Sequence, residues 1–101
     1  MNRRSYETVE EVYQQLKALG AVRSSNEFSS SWLGMNESYL RTIRSKGLAP
    51  SARVLARCSL RLRSLSHNMR SNPQPKLKAI GRHIATLADR CAEDIFAEHE
   101  V

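Results

Sequence analysis

With 101 residues, the chain has the size of one domain that can bury a modest single core and has no room for two. Aromatic residues make up only 6%, and 4 glycines and 3 prolines are too few for the many tight turns of a sandwich or barrel, so an all-α fold is expected. A formal charge of +6 favours polyanionic partners such as nucleic acid or anionic lipid, whereas the lack of any run of about 18 apolar residues predicts no membrane span.

Polar sequence follows Met1, Asn2, Arg3 and Arg4, where a signal peptide would need an apolar stretch, so a cytoplasmic location is expected. Ser5 is placed to cap a first helix running to about Leu19. Val9, Val12, Tyr13, Leu16 and Leu19 form its buried stripe, and Glu7, Glu10 and Glu11 put negative charge near the positive end of the helix dipole. Gly20 follows as a C-terminal cap. Arg3 and Arg4 read either as a basic arm that follows a groove or as a solvated terminus.

Ser24, Ser25 and Asn26 offer alternative N-caps for a second helix that carries Phe28, Trp32 and Leu33 on its apolar face. The small Ser29 and Ser30 let a crossing helix approach, and Gly34, free to take positive φ, ends the segment. Asn36 can cap a third helix running from Glu37 to about Lys46 and stopping at Gly47. Tyr39, Leu40 and Ile43 fall on its inner face, which leaves Glu37, Ser38, Arg41, Thr42 and Ser45 outward.

Pro50 discourages continuation, and Ser51 caps a fourth helix from Ala52 to about His67, with Met69 as a further apolar position. Val54, Leu55, Cys58, Leu62 and Leu65 share one arc. Arg53, Arg57 and Arg61 follow one another along a flank, either as phosphate ligands or as a solvated face, and Leu60 projects away from the apolar arc. The stretch 68–75 (NMRSNPQP) reads as the clearest break. Beyond it, Leu77, Ile80, Ile84, Leu87, Cys91 and Ile95 repeat at spacings of three and four, the seam of a long helix over about 75–98. Ala85, Ala92 and Phe96 form a second line beside this seam. The helix is basic at its start (Lys76, Lys78, Arg82) and acidic at its end (Asp89, Glu93, Asp94, Glu98, with Glu100 beyond).

Cys58 and Cys91 lie on apolar stripes and read as small buried hydrophobes; a structural disulfide is not expected in a reducing cytosol. His67, His83 and His99 have no cysteine partners at zinc spacing, so no metal or other cofactor is expected. There is no Gly-rich phosphate loop, no nucleophile elbow and no His-carboxylate grouping beyond His99 and its acidic neighbours, and enzymatic activity is not expected.

Aligned on Gly34, residues 26–45 resemble the helix-turn-helix of the phage-repressor and Cro class. Ser30 matches the small residue at the helix crossing, and Leu33, Met35, Leu40 and Ile43 match the apolar positions. Ser29 departs from the pattern, standing where many relatives carry an apolar residue. The resemblance implies that Asn36, Glu37, Ser38, Arg41, Thr42 and Ser45 face DNA bases, the same surface that periodicity turns outward. Arg41 is suited to a bidentate pair with guanine, and Glu37 either accepts from cytosine or orients Arg41. Ser24, Ser25, Arg44, Lys46, Arg53 and Arg57 are the candidates for phosphate contacts.

The expectation is therefore one all-α domain over 1–101 with about five helices. A lambda-repressor-like helix-turn-helix occupies about 25–46, and a packing or dimerisation helix occupies about 75–98. The expected function is sequence-specific double-stranded DNA binding by a small transcriptional repressor or regulator acting as a homodimer. Ile84, Ala85, Leu87, Cys91, Ala92, Ile95 and Phe96 would form the dimer interface, unless that seam packs on its own domain. The rival is an adaptor or antagonist that docks on a protein partner through surfaces marked by Leu60 and Phe96.

Overall fold

The computed structural model describes residues 4–99 and the side chains of residues 4–97. Arg3 of the basic arm, the Glu98 and His99 side chains and Glu100 lie outside that description. Among the described residues there are five helices and no strand. They are α1 (Arg4–Ala18), α2 (Ser25–Glu27, continuing as a π-helix over Phe28–Trp32), α3 (Tyr39–Lys46), α4 (Ala52–Arg70) and α5 (Pro75–His99).

α4 and α5 form an antiparallel hairpin that supplies the largest surface in the fold. Ser59 Oγ donates to the Ala88 carbonyl at 2.9 Å, and Ser66 Oγ donates to the Gly81 carbonyl at 2.6 Å. Small hydroxyl side chains bring the two backbones close while satisfying otherwise buried carbonyls. A Cβ at Gly81 would lie 3.1 Å from the Arg70 backbone nitrogen, so only glycine fits this crossing without a shift. Along the seam Leu55, Cys58 and Leu62 meet Ile84, Leu87, Ala88 and Cys91, all buried.

α1 covers the hairpin with Val9, Val12 and Leu16. Arg4 Nε sits 2.7 Å from the buried Asp94 carboxylate on α5, and Arg90 of α5 pairs with Glu11. The Tyr13 ring lies 5.4 Å from Phe28, which joins α1 to α2.

Several expectations change. Ser5 is not a cap: α1 includes Arg4, and Ser5 is buried inside it. The helix ends at Ala18, close to the expected end, through the Gly20 turn, where the Ala21 N–H reaches the Leu16 carbonyl, but Leu19 is left 41% exposed and does not join the buried stripe. The break expected over 68–75 is narrower, because α4 runs on through Arg70 and Pro75 opens α5, where its missing N–H costs nothing. Most consequentially, Ile84, Leu87 and Cys91 are not a dimer interface. They fill the chain's own core, with Ile95 half-buried against it. Each such aliphatic side chain stabilises the fold by about 1.5–3 kcal/mol through burial and is not free for a second copy. Of the expected interface Ala85, Ala92 and Ile95 are half-buried, and Phe96 alone is exposed, at 71%.

Candidate nucleic-acid interface

Ser24 opens α2, its Oγ accepting the Glu27 N–H at 3.2 Å. From Phe28 the helix widens: the Leu33 N–H reaches back five residues to the Phe28 carbonyl, and the Met35 N–H six residues to the Ser29 carbonyl. The extra residue rotates the segment, as π-turns do. Ser29 lies on the arc that Phe28, Trp32 and Leu33 bury, and its Oγ accepts the buried Leu40 N–H at 3.1 Å. Ser30 is exposed and bonds only to its own helix, through the Asn26 and Glu27 carbonyls. The residue at the crossing is thus Ser29, not the Ser30 that the resemblance implies, and Met35 is 39% exposed instead of filling an inner position.

Gly34 turns the chain at φ +67°, and the Arg57 side chain lies across it, so that a Cβ there would stand 2.5 Å from Arg57 Nε. Asn36 Oδ1 accepts the Ser38 N–H at 2.8 Å and the Ser38 hydroxyl at 2.7 Å. Those bonds hold residues 36–38 as a turn, and regular helix begins at Tyr39, two residues later than expected. The Tyr39 phenol is pushed up by burial, offset in part by a hydrogen bond from the Ser51 backbone that ties α3 to the start of α4. At the far end Gly47, at φ +67°, closes α3.

The eight residues of α3 make a helix about 12 Å long. Leu40 and Ile43 are buried, whereas Asn36, Glu37, Arg41 and Ser45 are exposed and Ser38 and Thr42 are half-buried. Asn36 and Ser38 are spent on each other, and Ser45 Oγ donates to the Thr42 carbonyl. Among the described residues Arg41 and Glu37 form no ion pair with each other or with another side chain, so of the two roles weighed for Glu37 the orienting of Arg41 is not seen.

The phosphate candidates divide. Lys46, Arg53 and Arg57 are exposed and, among the described residues, in no ion pair. Arg44 does not belong with them. Its guanidinium is bound to both Glu10 oxygens at 2.9 and 3.1 Å and to the Tyr6 hydroxyl at 3.3 Å. The Tyr6 bond, then Glu10, raises its pKa further, so Arg44 is a strut between α3 and α1 and not a free cation. Ser24 Oγ is occupied by its cap, and Ser25 is half-buried. Arg61 continues the α4 flank by lying over the Trp32 ring at 4.9 Å, beside a shallow cavity of about 220 Å³ lined by Trp32, Arg61, Ser64, Leu65 and Asn68.

The acids are distributed differently. Glu10, Glu11, Asp89 and Asp94 are taken up by Arg44, Arg90, Arg63 and Arg4. Among the described residues Arg41 and Lys46 on α3, and Arg53, Arg57 and Arg61 on the flank of α4 beside the π-segment and its turn, stand in no ion pair. Sequence spacing alone gives the arginine line but not its contact with the turn. That contact depends on α4 lying beside the π-segment. Among the described residues no three His, Cys, Asp or Glu side chains are grouped to hold a metal ion, and no helix is long and apolar enough to cross a membrane.

Residues 9–101 match a family of unknown function, DUF6626. The chain belongs to that family. The match takes in α2 through α5 and all of α1 beyond its first five residues. No curated protein and no solved structure matches the chain.

Proposed function

We propose that the protein binds double-stranded DNA in a sequence-specific manner, with the exposed face of α3 in a major groove, as a small transcriptional repressor or regulator. One observation carries this reading: among the described residues Arg41, Lys46, Arg53, Arg57 and Arg61 stand in no ion pair on a short helix with a polar outer face and on the α4 flank, while Glu10, Glu11, Asp89 and Asp94 are each paired within the fold. A helix enters the major groove only if its outer side chains reach base edges; of the long charged side chains on α3 in no ion pair, Lys46 stands at the last residue, and Arg41, in the first turn, stands among the polar residues of the outer face. Lys46, Arg53 and Arg57 supply phosphate contacts that fix register without reading sequence. Glu37 is the one acid on this face, and its role is to accept from a cytosine amino group.

The test uses a duplex selected from a random pool by the purified protein, with binding followed by fluorescence anisotropy. Arg41→Ala is expected to cost about 1–3 kcal/mol on the selected site and to relax preference at one base pair. Equal weakening on selected and random duplexes assigns Arg41 to phosphate. Failure of the wild-type protein to retain any duplex at low salt removes the DNA reading and leaves docking on a protein partner as the function to pursue.

A further inference from the structure

The hairpin of α4 and α5 has an outer face that the fold leaves uncovered. Its position is marked by the Arg63–Asp89 ion pair at 2.9 Å, which bridges the two helices on the solvent side. One turn from Arg63 on α4 stands Leu60, 69% exposed; one and two turns from Asp89 on α5 stand Ala85, Ala92 and Phe96. An exposed leucine and an exposed phenylalanine flanking two small residues make a surface on which another helix can lie closely.

Charge along α5 identifies the occupant. Lys78, Arg82, Ala85, Asp89, Ala92, Glu93 and Phe96 fall on one arc of the helix, basic in its first half and acidic in its second. Lys78, Arg82 and Glu93 are exposed and, among the described residues, in no ion pair. This arc is its own complement when reversed. Laid antiparallel on a second α5, with a two-fold axis at the level of Leu87 and Ala88, Arg82 of each copy meets Glu93 of the other. Phe96 then covers the apolar stem of Lys78, and Ala85 and Ala92 allow close approach at the centre. A parallel arrangement would oppose like charges along the whole arc.

We propose that this face, centred on Ala85 and Ala92 and closed at its ends by Phe96, is where two copies of the chain pair in antiparallel fashion. The symmetry is isologous, so each contact occurs twice. The pairing does not rest on the DNA reading, and its test involves no nucleic acid.

Sedimentation velocity of the full chain across a range of concentrations is expected to show a reversible monomer–dimer equilibrium. Arg82→Glu opposes Glu93 with a like charge at two symmetric positions and should weaken the dimer by about tenfold or more, as should Glu93→Arg. The double variant R82E/E93R restores the pairs in reverse and should return to within a few-fold of wild type. Phe96→Asp should give a monomer. All three positions are exposed, so circular dichroism should show unchanged helix content. A wild-type chain that stays monomeric at every concentration, a dimer indifferent to Arg82→Glu, or a double variant no better than the singles overturns the proposal.

Discussion

Ser29 shows how a single hydroxyl decides the geometry of the candidate site. The Leu40 N–H belongs to the first turn of α3, where a helix has no internal acceptor for its donors. Ser29 Oγ supplies that acceptor from α2 at 3.1 Å, with both residues fully buried. Ser29→Ala therefore leaves a donor dry and unpaired and is expected to destabilise the fold by about 1–3 kcal/mol. In a domain of this size that lowers the melting temperature by about 4–8 °C per kcal/mol. Ser30→Ala, which removes bonds only to its own helix at an exposed site, is the matched control and should melt near wild type. Equal melting of the two variants would remove the clamp from the account. Two adjacent serines made a close crossing legible in the sequence. Which of them faces inward was legible too, since at helical spacing Ser29 falls between Phe28 and Leu33 on the buried arc and Ser30 outside it; it was the alignment on Gly34, matching Ser30, that put the wrong serine at the crossing. The exposure of Met35, beyond the Gly34 turn, is the other departure from that alignment.

At the scale of elements, periodicity identified the apolar seam of α5 correctly and gave its surroundings ambiguously. A spacing of three and four says that one face is buried and leaves open what covers it. What decides the matter is the fit of Ser59, Ser66 and Gly81, small residues that let α4 approach, and their pairing across 15 to 29 residues of chain cannot be read from local pattern. Within this seam Cys58 and Cys91 face one another as free, buried thiols. A hydrogen bond with Cys91, then burial, holds the Cys58 thiol well above its ordinary range. The unfolded chain consequently gives up that proton first as pH rises, the folded state binds more protons, and stability falls with pH. The loss should begin above about pH 8.5, where an unperturbed thiol ionises. Urea unfolding at neutral and at alkaline pH should show a steeper decline for wild type than for Cys58→Ala, whatever the variant's stability at neutral pH. Parallel declines would mean that the Cys58 proton is held no more firmly in the fold than outside it.

For the whole molecule, the question is whether the surplus of positive charge works as a surface or is only a total. Net charge was legible from composition, and its sign pointed to a polyanion. Its distribution was not, since it depends on which acids the tertiary fold consumes: Arg44 is spent on Glu10, whereas among the described residues Arg53 and Arg57 are in no ion pair. Phosphate contacts release condensed counterions, so the logarithm of affinity falls with the logarithm of salt at a slope of about −0.9 per phosphate neutralised. Replacing Arg53 and Arg57 together by alanine should therefore flatten that slope by about 2 for one bound chain, and by about 4 if two paired chains engage the duplex. The weakening should be the same on selected and random sequences, because these residues read no bases. Arg90, held against Glu11 on the α1 side, is the control, and Arg90→Ala should leave the slope unchanged. An unaltered slope in the double variant would reduce the α4 arginines to a solvated face. A slope altered equally by Arg90→Ala would show that total charge, and not the surface beside α3, governs binding.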